Sequence, residues 1–200
     1  FLGISETLSV EDVHAAAIAA SDYLYIEGYL VTSATGLAAA VRARELAQDA
    51  GVKTALSFSD PGMVEYFREG MARIIGNGLD LVFCNEAEAL QWGETDSLAV
   101  AIEKLKHVAK SFVITRGAEG AITFDGSEQV AIPPHQVQAV DSNGAGDMFA
   151  GAFLYAISRG EDFATAGRFA SLAAGRIVAN YGPRLPAADY PALRAEFFGD

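Results

Sequence analysis

The stretch Asp141-Ser142-Asn143-Gly144-Ala145-Gly146-Asp147 lies between two segments of different periodicity. Upstream, Val137–Val140 alternates in a way that predicts a short, half-buried strand. Downstream, Met148–Ile157 is apolar enough to predict a buried helix. The stretch, here called the glycine loop, is therefore predicted to connect the end of a strand to the start of a helix.

The glycine loop has the composition of an anion-binding turn. A helix that starts there offers unpaired backbone N–H groups and the positive end of its dipole, and glycines let the backbone approach an anion closely. Asp147 falls in the first turn of this helix, where a carboxylate would repel phosphate. A base that takes a proton from an attacking hydroxyl would explain it. An ordinary helix-start residue that accepts from N–H groups would explain it as well.

Two other glycine-rich motifs fit less well. A P-loop requires Lys and Ser or Thr after its last glycine, but Asp147 and Met148 follow here. A dinucleotide-binding loop requires Gly or Ala three residues after Gly146, where this chain has Phe149. An NAD-dependent enzyme is therefore a distant alternative.

Composition narrows the class of protein. Hydrophobic residues make up 51% of the 200 residues, enough to bury a large core. The net charge of −12 argues against a surface for nucleic acid or an anionic membrane, so we expect neither partner. Cys84 is the single cysteine, which excludes an internal disulfide and fits a reducing, cytoplasmic location. The three histidines stand far apart and are interpreted as surface or loop residues: His14, His107 and His135.

The order of predicted elements indicates an α/β fold. Strands at Asp22–Ile26, Lys53–Phe58 and Asp80–Cys84 alternate with helices at Ser33–Ala50 and Met63–Ile75. This alternation predicts a mostly parallel sheet with right-handed crossovers.

The remainder adds a strand, a hairpin and a long helix rich in small residues, Phe163–Ala179. The small residues of that helix permit close approach of a neighbouring helix or of a flat base. No long linker, repeat or low-complexity tract interrupts the chain. We therefore expect a single α/β domain over residues 1–200.

Two short motifs follow predicted strands. Asn85 and Glu88 are about one helical turn apart, so both side chains can face one ligand, although N-x-x-E is also a common capping pattern. Thr115 to Gly120 joins two strands and needs no function as a bare hairpin. Arg116 within it is either a cation near phosphate or a surface residue.

The glycine loop, followed by Phe149-Ala150-Gly151-Ala152-Phe153, resembles the second signature of the ribokinase (PfkB) family of small-molecule kinases. Most members carry Thr in place of Ser142. The two short motifs resemble the family's N-x-x-E and T-[KR]-G-x-x-G elements. Tyr25–Leu30 and Gly182–Arg184 look most like its bacterial adenosine-kinase-like branch.

The resemblance implies a ribokinase-like three-layer α/β/α sandwich with a mostly parallel central sheet. It also implies that this chain is the C-terminal portion of that fold, without the N-terminal strands, the β lid and most substrate-binding residues. Because one wall of the substrate site would be absent, we expect no useful turnover from these 200 residues alone. Family members often dimerise through the lid, so a homodimer is a further expectation.

The resemblance also implies roles for individual residues. Asp147 would be the catalytic base, and Glu88 would help hold the nucleotide's Mg²⁺ through water. Asp141 is offered as a ligand of a monovalent cation such as K⁺. The amides that stabilise the moving phosphoryl group would be those of Gly144, Ala145 and Gly146. The implied nucleotide-binding residues are Asn85, Thr115, Gly117, Gly120, Ser171 and Asn180.

The leading hypothesis is transfer of the γ-phosphoryl group of ATP to a hydroxyl of a small-molecule sugar or nucleoside, with an adenosine-like or ribose-like acceptor. The alternative is a non-catalytic regulatory module of the same fold that binds nucleotide or sugar. The presence of both Asp147 and Glu88 favours catalysis, because nothing but chemistry obviously requires the pair.

Overall fold

The computed structural model describes residues 3–199. Their contacts divide the chain into two compact units, the first ending at Ile114 and the second beginning at Thr115. The expectation of one domain over the whole chain stays a prediction.

The first unit is built on strands in the order β1-β2-β3-β4. β1 runs parallel to β2, with Tyr23 opposite Lys53, and β2 runs parallel to β3, with Ala55 opposite Leu81. This arrangement confirms the parallel sheet predicted from alternating strands and helices. The four strands are β1 (Tyr23–Glu27), β2 (Lys53–Ser57), β3 (Leu79–Asn85) and β4 (Ala109–Thr115).

The inner strands are buried along consecutive residues rather than on alternate ones. Leu56 in β2, Val82 in β3 and Val113 in β4 are fully buried. Their chain neighbours are at most 1% exposed: Ala55, Leu81 and Ile114. Such runs are typical of parallel strands covered on both faces. Each fully buried aliphatic side chain contributes roughly 1.5–3 kcal/mol to folding.

Side-chain caps mark where some helices of this unit begin. Ser33 Oγ accepts from the backbone N–H of Gly36, and Asp60 Oδ1 accepts from the N–H of Gly62. The helices are α1 (Ala15–Ala19), α2 (Ala34–Asp49), α3 (Pro61–Tyr66), α4 (Arg68–Ile75), α5 (Glu86–Gly93) and α6 (Leu98–Leu105), with short 3₁₀ helices at Gly3–Thr7, Val10–Asp12 and Gly28–Thr32.

The single helix predicted over Met63–Ile75 is wrong. Two helices occupy this region, because Phe67 leaves the helical conformation with φ −121° and ψ 27°. The first of them also starts earlier than predicted, at Pro61, whose fixed φ suits the first helical position.

The second unit combines a hairpin with three helices. α7 and α8 pack against each other, and both contain small, fully buried residues such as Ala156 and Ala170. Phe153 meets Phe163 edge-on with ring centroids 5.0 Å apart. The elements are β5 (Ala121–Phe124) antiparallel to β6 (Gln129–Ile132), a 3₁₀ turn at Gly117–Glu119, α7 (Ala145–Ser158), α8 (Phe163–Val178) and α9 (Asp189–Phe198). No helix within residues 3–199 is both long and apolar enough to cross a membrane.

The strand predicted at Val137–Val140 is also wrong. Val137 and Val140 are 36% and 46% exposed, and the segment has no regular secondary structure. The backbone N–H groups of Val140 and Asp141 donate to the carbonyl of Val178, 2.8 and 3.2 Å away, at the end of α8. The segment is therefore bonded to a helix end and not to a neighbouring strand.

Gly120 should be among the least replaceable residues of the second unit. Its φ is 85°, and an added Cβ would overlap the carbonyl oxygen of Ile132. We expect Gly120→Ala to cost at least about 2 kcal/mol of unfolding free energy, measured by urea denaturation. In Gly151→Ala the new methyl group meets no atom within 4 Å, so we expect a gain of about 0.5–1 kcal/mol from helix propensity. Equal stabilities of the two variants would contradict the prediction that Gly120 cannot be replaced without loss of stability.

Candidate functional site

A cavity of about 360 Å³ lies within the second unit. No Asp, Glu, Lys or Arg is among the described residues that line it, and much of its wall is apolar, including Phe149 and Val178. Such a lining suits a flat, largely apolar group. Six of the residues predicted from the family motifs line it: Thr115, Gly117, Gly120, Ala145, Gly146 and Ser171.

The glycine loop forms one end of this cavity. Gly144 is the N-cap of α7 with φ 77°, and an added Cβ would lie 2.7 Å from Cα of Pro183, so the loop packs closely against that proline. A Cβ at Gly146, in contrast, would meet no atom within 4 Å. The space beside Gly146 is open, as expected where backbone approaches a ligand.

Asp147 lies in the first turn of α7 and is exposed. Among residues 3–199, no hydrogen bond or ion pair engages its carboxylate, and no side chain caps α7. Asp60 and Asp162 differ, because each accepts a backbone N–H at the start of its helix. The carboxylate of Asp147 therefore does not serve as a cap, although it occupies a capping region.

Asp141 fastens the glycine loop to the turn after α8. Its Oδ1 accepts from the backbone N–H of Asn143 at 3.0 Å, and its Oδ2 accepts from that of Gly182 at 3.1 Å. Both hydrogen bonds lower the pKa of the Asp141 carboxyl, and the bond from Asn143 has the larger effect. A monovalent cation at Asp141 would share oxygens that already have these partners, and it stays a prediction.

Two other predicted residues lie outside the cavity lining. Asn180 donates through Nδ2 to the carbonyl of Arg176 at 2.8 Å and borders a different hollow, beside α9. Arg116 pairs with Glu119 in the same turn, 2.6 Å apart. A role for Asn180 beside the adenine stays a prediction.

Asn85 and Glu88 belong to the first unit and form a capping box at the start of α5. The N–H of Glu88 donates to Asn85 Oδ1 at 2.8 Å. Asn85 returns two bonds to the carboxylate, from Nδ2 to Oε1 at 2.7 Å and from its backbone N–H to Oε2 at 2.9 Å. The capping interpretation of N-x-x-E is therefore correct, and both carboxylate oxygens are engaged.

Glu88 is only 4% exposed, and burial raises its pKa from 4.5 to about 7. The hydrogen bond from Asn85 opposes this shift, and the charge of Asp60 adds to it. Among the described residues, no group of three or more metal-ligating side chains is present. Mg²⁺ held through water by Glu88 stays a prediction.

Sequence reasoning missed one wall of the cavity. His135 is an exposed loop residue, as predicted, but it also lines the cavity, together with Pro134, Gln136 and Ala139. Pro133 and Pro134, which favour extended, non-helical backbone, were the available signal.

The fold and the site together define an α/β protein of the ribokinase-like class. Residues 3–189 match the family described as pfkB family carbohydrate kinase, and the chain belongs to that family. The ribokinase-like fold expected from the sequence is thereby confirmed.

Several relatives of the chain are nucleoside kinases. It is 28% identical over 188 residues to adenosine kinase of Saccharomyces cerevisiae, covering 88% of this chain and 54% of that enzyme. It is 38% identical over 114 residues to cytidine kinase of Thermococcus kodakarensis, covering 55% and 41%. The crystal structure of adenosine kinase from Sinorhizobium meliloti superposes with a TM-score of 0.90 at 32% identity, covering 96% of this chain and 59% of that one. The chain thus spans little more than half the length of the two adenosine kinases.

The buried carboxyl of Glu88 should make stability depend on pH. Its pKa is higher in the folded protein than in the unfolded chain, so its contribution is fully present below pH 4.5 and is lost as pH rises through about 7. Glu88→Gln stays neutral throughout. We expect the variant to gain about 2 kcal/mol of unfolding free energy relative to wild type between pH 5 and pH 8, measured by urea denaturation.

Glu65→Gln, which makes the same substitution at an exposed position in α3, is the matched control. In Glu88→Gln the hydrogen bond from Asn85 Nδ2 is lost, which lowers stability equally at both pH values, so only the pH trend is diagnostic. A difference between Glu88→Gln and wild type that does not change with pH would contradict the raised pKa.

Proposed function

We propose that the protein is an ATP-dependent phosphotransferase that moves the γ-phosphoryl group to a hydroxyl of a sugar or nucleoside. Membership of the PfkB family supports the reaction class. The names of the adenosine and cytidine kinases among its relatives favour a nucleoside acceptor, adenosine-like or ribose-like. The proposal concerns the intact protein, because the chain covers just over half of the two adenosine kinases.

The observation that carries the proposal is the uncommitted carboxylate of Asp147 beside a glycine-lined helix start. A carboxylate at a helix N-terminus is ordinarily explained by capping, as at Asp162. Asp147 makes no such bond within the described chain and follows Gly146, which lines the cavity. A base for the acceptor hydroxyl needs this combination of exposure, free oxygens and nearness to the phosphate position.

Each group would make a separate contribution. Asp147 would orient the acceptor hydroxyl and take its proton as the oxygen attacks phosphorus. The amides at the start of α7, from Gly144 to Gly146, would stabilise negative charge on the transferred group. Mg²⁺, when bound with the nucleotide, supplies charge neutralisation, and Glu88 would hold its water. The uncharged cavity would receive the adenine.

The enzyme would act in the cytoplasm, in keeping with the buried free thiol of Cys84. A homodimer and a requirement for K⁺ at Asp141 remain predictions from the family resemblance.

Asp147→Asn in the intact protein tests the base. We expect kcat for phosphorylation of adenosine or ribose to fall by about a hundredfold to ten-thousandfold, because Asn cannot accept the proton. ATP affinity should change little, since Asp147 does not line the cavity proposed for the adenine. ADP release with Mg-ATP measures the rate, and equilibrium binding measures the affinity.

Asp189→Asn is the matched control, because Asp189 also lies in the first turn of a helix, α9. It should retain wild-type turnover. Retained turnover in Asp147→Asn would exclude this residue as the base. ATP binding by wild type without turnover of any acceptor would favour the non-catalytic binding module.

Gly146→Ala separates ligand approach from folding. The added methyl group meets no protein atom within 4 Å, so stability should hold or rise by up to about 1 kcal/mol. The same methyl group would occupy the open space beside the phosphate position, so we expect ATP binding to weaken at least about tenfold. Wild-type affinity in this variant would show that nucleotide does not approach the glycine loop.

A further inference from the structure

One wall of the cavity is irregular backbone. Residues 133–139 have no helix or strand, yet Pro134, His135, Gln136, Val137 and Ala139 all face the cavity. Irregular backbone that shapes a binding site needs anchors. Ordering each unfixed residue on binding would cost about 1–2 kcal/mol of free energy from lost conformational entropy.

The wall is anchored at both ends to one face of α8. At its far end, the N–H groups of Val140 and Asp141 donate to the carbonyl of Val178. At its near end, the side chain of Ser171 bonds to the backbone of the wall. The residues of α8 that line the cavity follow the spacing of one helical face: Ser171, Ala174, Gly175 and Val178.

The hydroxyl of Ser171 is fully committed as a donor. It donates its proton to the carbonyl of Pro133 at 3.0 Å and accepts the backbone N–H of His135 at 2.9 Å. The residue is 8% exposed. A serine hydroxyl has one proton, so Ser171 has none left to donate to a ligand.

Gly175, one turn further along α8, lets the wall approach closely. A Cβ on Gly175 would lie 2.9 Å from Cδ2 and 3.2 Å from Cβ of His135. The imidazole therefore packs directly on the helix backbone. His135 is held by two contacts, its N–H on Ser171 and its ring on Gly175.

We propose that Ser171 is a positioning residue for the nucleotide. It shapes the base-binding wall by fixing Pro133 and His135 against α8, and it does not contact the base through its own proton. This role rests on the proposed function, in which the cavity receives the adenine of ATP. Loss of the hydroxyl releases the near end of the wall, so nucleotide binding must then order it.

The test compares Ser171→Ala with wild type in the intact protein. We expect the Kd and KM for Mg-ATP to rise about tenfold, while kcat at saturating ATP stays within about twofold, because the reacting groups are untouched. Amide hydrogen exchange at His135 should accelerate in the variant. Ser171→Thr, which keeps the hydroxyl, should restore ATP affinity to within about threefold of wild type.

Ser111→Ala controls for general destabilisation. Ser111 is 7% exposed, and its hydroxyl donates to the carbonyl of Asp80, so this variant also removes a buried serine bond to backbone. We expect it to keep wild-type ATP affinity. Unchanged affinity in Ser171→Ala, an equal loss in Ser111→Ala, or a fall in kcat without a rise in KM would each overturn the positioning role alone. Absence of ATP binding in wild type would overturn the proposed function itself.

Discussion

The close contact between Gly144 and Pro183 is the constraint on which the cavity depends. With φ 77° and no room for a Cβ, the residue fixes the path of the glycine loop against the turn that follows α8. Asp141 strengthens the same connection through the N–H of Gly182. The start of α7 and the end of α8 are thereby positioned together, and the cavity that their residues line takes its shape from both.

Burying the carboxyl of Glu88 costs free energy, and the fold does not require a carboxyl at this position. A capping box accepts Gln as readily as Glu at the third helical position. A buried carboxyl with a pKa near 7 is partly charged at neutral pH, and the uncharged amide would avoid the free energy needed to bury that charge. A residue that breaks a local rule without structural need is a candidate for function. The carboxylate of Glu88 is explained if a cation in the nucleotide complex favours its charged form.

The accuracy of the sequence-based predictions followed the range of the interactions involved. The cap at Asn85 was predictable because its donor and acceptor lie three residues apart in the chain. The strand predicted at Val137–Val140 was wrong because its partner is the carbonyl of Val178, about forty residues away in the chain. The contacts that place His135 in the cavity wall could not be predicted for the same reason, since both lie on α8.

This long-range contact explains why two residues of α8, Ser171 and Gly175, are small. The sequence left open whether Ser171 and Gly175 accommodate a helix or a flat base, and the structure places a third partner, the irregular wall around His135, against them. A base lying between that wall and α8 would meet backbone and apolar groups, because no charged side chain lines the cavity among the described residues. Affinity would then depend on how rigidly the wall is held before nucleotide arrives, since ordering it on binding subtracts from the free energy gained. The hydroxyl of Ser171 contributes that order at the near end of the wall, as the carbonyl of Val178 does at the far end.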